Sequence, residues 1–128
     1  MTLGADSFSK RIGKIKYLIL AFQNVQLRKL CERESQALKF LGEPVSSKLR
    51  NRLSDLRAAF SVQDLVLGDL IDELGSSENI KIFSIDLGTN YEMVCISNHN
   101  PQPLLSPSKI DWQRVFRIKI IKIGQKNE

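Results

Sequence analysis

The side chains of this chain that could do chemistry are mostly cations. Arg114, Arg117, Lys119 and Lys122 crowd the C-terminal segment, and Arg50 and Arg57 stand in the first half. Contact with a phosphate backbone needs positive charge rather than a finely tuned acid, so these six are candidates for holding nucleic acid. Each alone can equally be a long basic side chain snorkelling at the edge of a buried surface. His99 is the only imidazole, and its place between Asn98 and Asn100, just before Pro101, suits a loop-shaping role as well as proton transfer. Cys31 and Cys95 have neither CxxC spacing nor a surrounding His cluster, and read as buried thiols rather than a zinc site or a disulfide.

The net charge of +5 is unevenly spread. Residues 1–57 carry +7, residues 58–108 carry −6 with Lys81 as their only cation, and residues 109–128 carry +4. A basic surface for phosphate can therefore form only from the first half and the last strand. At 128 residues and 42% hydrophobic content the chain suits one domain around one core. No run approaches the length of a membrane span, and Met1 to Ser9 lacks the pattern of a secretory signal, so a cytoplasmic protein without a membrane partner is expected.

The elements that would position these groups follow from pattern. Tyr17 to Phe22 is a short apolar run, read as a buried first strand after a basic extension over residues 1–15. Asn24 caps a helix whose face is Leu27, Leu30, Cys31, Leu38 and Leu41, with Ala37 and Phe40 helping to fill it. Gly42 and Pro44 end that helix. A second helix runs from Pro44 to about Phe60, with Val45, Leu49, Leu53, Leu56 and Phe60 as its buried stripe. Lys48 and Arg52 border the stripe on one side, Arg50 and Arg57 on the other. Beyond Asp64 the pattern alternates, broken at Gly68 and at Gly75 to Ser77. Ile80 to Leu87 and Tyr91 to Ser97 form a hairpin through Gly88, Thr89 and Asn90, where Gly and Asn accept positive φ. Pro101, Pro103 and Pro107 forbid regular pairing, and a last strand runs from Arg114 to Ile123. The expected fold is α+β: an N-terminal strand, a two-helix hairpin, then an antiparallel sheet with a C-terminal strand.

In that order, Glu32, Ala37, Leu41-Gly42 and Arg52-Leu-Ser-Asp-Leu-Arg-Ala-Ala59 resemble the helical hairpin of HigB-like toxins of the RelE/ParE superfamily. The resemblance continues through Asp64-Leu65, Glu73-Leu74, Asp86-Leu87 before Tyr91, the loop Asn98 to Pro103, Ile110-Asp-Trp112 and Arg117 to Ile123, covering residues 16–123. It implies a RelE-like fold over residues 16–128 and the toxin component of a type II toxin–antitoxin system, of the plasmid-maintenance kind. The activity implied is a metal-independent, ribosome-dependent mRNA endoribonuclease with no cofactor. The implied partners are a helix-turn-helix antitoxin similar to HigA, the ribosome with its mRNA, and DNA indirectly through the antitoxin. Gyrase inhibition, as in the ParE branch, fits the helical segment less well.

The implied reaction attacks a phosphate with the neighbouring ribose 2′-hydroxyl, which needs a base, an acid and positive charge. Tyr91, Lys81 and Lys126 are the catalytic candidates. Tyr91 can transfer a proton, stack on a base or simply pack; Lys81 and Lys126 can stabilise phosphate, and Lys126 can serve as an acid if burial lowers its pKa. Two departures from the family pattern bear on this. Glu92 follows Tyr91 where such toxins commonly carry Arg, and the last strand ends Gly124-Gln125-Lys126 without the usual Tyr or His. Both leave room for an alternative: a catalytically degenerate toxin-like protein that binds the antitoxin and contributes to operator binding.

Overall fold

A computed structural model describes residues 17–66, 71–76 and 81–127 of the chain. The basic extension expected over residues 1–15 lies outside the described residues. The fold is α+β, with helices gathered on one face of a mostly antiparallel sheet.

The first strand, β1, spans Ile19–Phe22. It was expected to be buried; instead its one neighbour among the described residues is the last strand, and Ile19 is 48% exposed. Leu18, Leu20 and Phe22 turn toward the core, so only alternate residues of the apolar run are needed inside. The helix expected from Asn24 to Leu41 is two helices, α1 (Val25–Glu32) and α2 (Glu34–Leu41). Asn24 does cap α1, its Oδ1 accepting from the Leu27 amide at 2.9 Å. The break falls at Arg33, which is extended at φ −123 and ψ 110. A continuous stripe needs an apolar residue near position 34, and Glu32 to Ser35 supplies none. Re-aimed, α2 buries Ala37 while Leu38 and Phe40 stand exposed, against expectation.

Helix α3 (Glu43–Ala58) carries Pro44 in its first turn and buries Val45, Leu49, Leu53 and Leu56 as the wheel requires. Phe60 is not on that stripe. The helix ends at Ala58, Ala59 turns extended and takes the buried place, and Phe60 is left 55% exposed, stacked on Tyr17 at 5.3 Å between ring centroids. The chain then makes a short helix, α4 (Val62–Val66), where an alternating pattern was expected from Asp64. One local and one long-range hydrogen bond explain it: the Asp64 carboxylate accepts from the Phe60 amide, and the Val62 amide donates to the Val115 carbonyl.

Strands β2 (Ile71–Ser76), β3 (Lys81–Gly88) and β4 (Tyr91–Ser97) form the meander. The β3–β4 turn uses positive φ at Gly88, Thr89 and Asn90, as the loop composition requires. The proline segment does hold regular pairing, a small ribbon of β5 (Leu104–Ser106) and β6 (Lys109–Ile110), since its prolines fall outside the paired residues. The last strand, β7, spans Arg117–Gln125 rather than starting at Arg114, which sits in a 3-10 turn over Trp112–Arg114. The sheet order is β1-β7-β4-β3-β2, with β1 parallel to β7 and every other pair antiparallel.

The core lies between α3 and the inner face of the sheet. Phe83, Ile85 and Leu87 from β3, Met93 and Cys95 from β4, and Ile118 and Ile120 from β7 are sealed there beneath Leu49, Leu53 and Leu56. Both cysteines are free. Cys95 is buried and Cys31 partly so, and burial pushes the Cys31 thiol up to about 12, which makes it a poor nucleophile.

Candidate functional site

Register places the charges on the outer, helix-free face of the sheet. Because Phe83, Ile85 and Leu87 point inward, their neighbours Ser84 and Asp86 point outward. Asp86 pairs directly with Glu92 across β3 and β4, and Val94 pairs with Lys122 on β7. Two carboxylates directly opposed on one face destabilise a sheet unless cations meet them. Both are met. Lys126 Nζ lies 2.7 Å from Asp86 Oδ1, and Lys122 Nζ lies 3.3 Å from Glu92 Oε2 while also donating to the Gln125 carbonyl at 2.8 Å. The hydrogen bond from Lys126 is the main reason the Asp86 carboxyl is held below its ordinary value, with Lys48 on α3 adding to the effect.

Tyr91 stands at this same end of the sheet. It pairs with Gly88 on β3 and Gln125 on β7, and the Lys126 amide donates to the Asn90 carbonyl at 2.9 Å. Two of the three catalytic candidates, Tyr91 and Lys126, thus share one end of the sheet but not one face, for Tyr91 packs against the core on the inner side with Met93 and Cys95. Lys81 is not at that end: it opens β3, which ends at Gly88, so seven residue steps of about 3.3 Å put it roughly 23 Å away. The Lys81 side chain lies outside the described residues. Nor is Lys126 buried as a lysine acid would need, for its side chain is 42% exposed and bound to a carboxylate.

Sequence reasoning missed two members of this cluster, Asp86 and Lys48. Asp86 could have been found from the hairpin: a turn at residues 88–90 puts it opposite Glu92, a like-charge pair that calls for cations. Lys48 reaches across from α3, its Cε passing 3.9 Å from where a Gly88 side chain would begin. The helical wheel showed only that it bordered the stripe.

The six phosphate candidates do not form one patch. Arg50 is bound to Glu34 at 2.8 Å, and with Arg57 it borders a cavity of about 250 Å³ between α1, α2 and α3, on the helical side. Arg114 is tied to Asp111 at 2.7 Å and to the Leu104 carbonyl at 2.9 Å. Arg117, Lys119 and Lys122 share β7, where Lys122 belongs to the Tyr91 cluster and the other two lie toward the opposite end.

His99 is a structural acceptor. Its Nε2 takes the amide protons of both Phe116 and Arg117 at 3.1 Å, which needs a neutral ring with its proton on Nδ1. Burial, and secondarily the Arg117 guanidinium, push its pKa below the ordinary value. The unfolded chain then takes up the proton first. His99 therefore contributes fully above about pH 6.5 and loses that contribution as pH falls from there through its folded-state value. The expected result for His99→Ala is a loss of about 1–2 kcal/mol at pH 7.5, from leaving the two amides without their acceptor. In urea unfolding across pH 7.5 to 5, the gap between variant and wild type should narrow toward acid; a constant gap would contradict this role.

No family model matches the chain. No curated protein matches it in sequence. Among solved structures, it is similar to a chain in the crystal structure of an archaeal RelE–RelB complex from Pyrococcus horikoshii OT3. That match has 12% identity and a TM-score of 0.48, over 87% of this chain and 97% of the other.

Proposed function

We propose that the chain is the toxin-like member of a toxin–antitoxin pair that binds its antitoxin and, through it, operator DNA, without cleaving mRNA. The pairing of Lys126 with Asp86 and of Lys122 with Glu92 carries this reading. A ribonuclease that gathers negative charge on phosphorus needs uncompensated cations around its proton-transfer group. Here the two lysines at the Tyr91 end of the sheet neutralise the sheet's own carboxylates. The family resemblance, the helical layer and the sheet order support a toxin-like scaffold, and the resemblance implies a cytoplasmic helix-turn-helix antitoxin of the HigA kind as partner.

A second reading, a ribosome-dependent mRNA endoribonuclease, is favoured by one observation. Lys48 approaches Gly88 at this end and forms no ion pair among the described residues, though its charge is felt by Asp86. Induced expression separates the two. Normal growth with intact mRNA ends, together with co-purification of the helix-turn-helix protein encoded by an adjacent gene, is expected. Growth arrest with new cleavage ends inside transcripts would establish the nuclease instead.

A further inference from the structure

We propose that the β1–β7 edge of the helix-free face binds single-stranded nucleic acid, Arg117 and Lys119 holding phosphates while the exposed Tyr17–Phe60 pair stacks on a base. The surface is built from register. On β1 the inward residues are Leu18, Leu20 and Phe22, so Tyr17, Ile19 and Ala21 face outward. On β7 the inward residues are Ile118 and Ile120, so Arg117 and Lys119 face outward beside them. The parallel pairing sets Ile19 directly against Arg117 and Ala21 against Lys119. A cationic row therefore runs alongside an apolar row that begins with an aromatic pair.

Each feature suits the same ligand. Neither Arg117 nor Lys119 forms an ion pair among the described residues, in contrast to Arg50, Arg114, Lys122 and Lys126. The Arg117 guanidinium lies 5.4 Å from the centroid of the Phe116 ring, which gives it a preferred position without using up its charge. Residues two apart on a strand place their heads about 7 Å apart, an interval that phosphates of an extended strand can match. Tyr17 and Phe60 are 47% and 55% exposed although they stack on each other, so the pair still offers ring surface to solvent. A ring face is of use to a base only when that base is free of a duplex stack, which selects single strands over double. Among the described residues the Asp64 carboxylate lies beside Phe60, and it is engaged by the Phe60 amide. A protein partner fits less well, because among the described residues the large exposed apolar side chains of the strip are Tyr17, Ile19 and Phe60, and they lie against cations without an ion pair.

This strip is separate from the Tyr91 cluster. Arg117 opens β7 and Gln125 closes it, roughly 26 Å apart along the strand. The proposal does not rest on the toxin-like reading, and either can fail alone.

The test is fluorescence anisotropy of the full chain with a labelled uridine oligomer of about 12 nucleotides, and with a duplex of the same length. The single strand should bind more tightly than the duplex. Phe60→Ala, at an exposed position, should weaken binding about tenfold with little change in salt dependence. Arg117→Ala combined with Lys119→Ala should reduce the slope of log affinity against log salt by about 1.4, the value for two phosphate contacts on a single strand. Lys39→Ala, which removes a cation from α2 away from the strip, is the control and should bind as wild type. Circular dichroism establishes that each variant is folded. No binding of the single strand, equal binding of the duplex, an equal loss from Lys39→Ala, or a concentration-dependent dimer abolished by Phe60→Ala would each overturn the proposal.

Discussion

Replacing Phe83 with alanine should remove about 3–5 kcal/mol of stability, a large part of the 5–15 kcal/mol that holds a domain of this size folded. Phe83 is fully buried in the middle of β3, opposite Cys95, and its ring meets Trp112 edge to face at 5.4 Å between centroids. The substitution thus loses the transfer free energy of a whole ring and the aromatic contact together. Collapse around the gap is restricted on several sides. β3 is held between β2 and β4, α3 presses from above, and the Trp112 turn is fixed by the Asp111 carboxylate, which accepts from the Gln113 amide. In urea the midpoint should fall by roughly 2 M with little change in slope. A fall below about 0.5 M would mean that the β3 layer is not where the core's stability resides.

Phe83 also shows what the sequence makes legible. Alternation in Ile82 to Leu87 and the Gly88-Thr-Asn90 turn determine which residues face in, whatever lies at a distance, and the hairpin forms as that pattern requires. The same holds for α3, whose four leucine and valine positions repeat at helical intervals. Legibility failed where a local pattern had two solutions. Leu27 to Leu41 fits one long stripe or two short ones, and what decides is the charged run Glu32 to Ser35, a gap that a wheel tends to average away. Phe60 continues the α3 stripe by angle. Yet Ala59, being small, can fill the buried position and leave the ring to Tyr17, a choice made by packing. α4 depends on the hydrogen bond from Val62 to Val115, a residue remote in sequence that no local window contains.

The candidate site divides along the same line. That Tyr91 and Lys126 would lie at one end of the sheet follows from hairpin register plus an antiparallel last strand. That Lys81 would be left behind follows from the length of β3. What sequence could not give is the partner of each cation. Six candidate phosphate contacts become a helical pair, a loop residue and a strand row once side chains are placed, and only Arg117 and Lys119 keep an outward charge without a carboxylate in the strand row.

Glu92→Arg is expected to turn the Tyr91 end from a closed charge cluster into an anion site. Glu92 faces Asp86 directly, so an arginine at this position gains an opposite-charge partner across the strands, and the fold should tolerate it. Lys122, now bound to the Glu92 carboxylate, keeps its bond to the Gln125 carbonyl, but its charge is no longer cancelled by Glu92. One negative charge is removed and one positive charge added beside Tyr91. At about 1 kcal/mol per unit charge at 4 Å in water, the change is worth about 2 kcal/mol, or roughly thirtyfold in affinity for a short RNA at low salt. The measurement belongs in the Arg117→Ala, Lys119→Ala background, where binding at the far end of β7 is suppressed. Salt should erode the gain, because the neighbouring Lys126 and Asp86 side chains are open to solvent and its ions. RNA should nevertheless remain uncut, since the substitution supplies charge but no buried acid in place of Lys126. Cleavage by the variant would show that charge alone separates this cluster from a working nuclease; an unchanged affinity would mean that the two ion pairs are not what keeps RNA away.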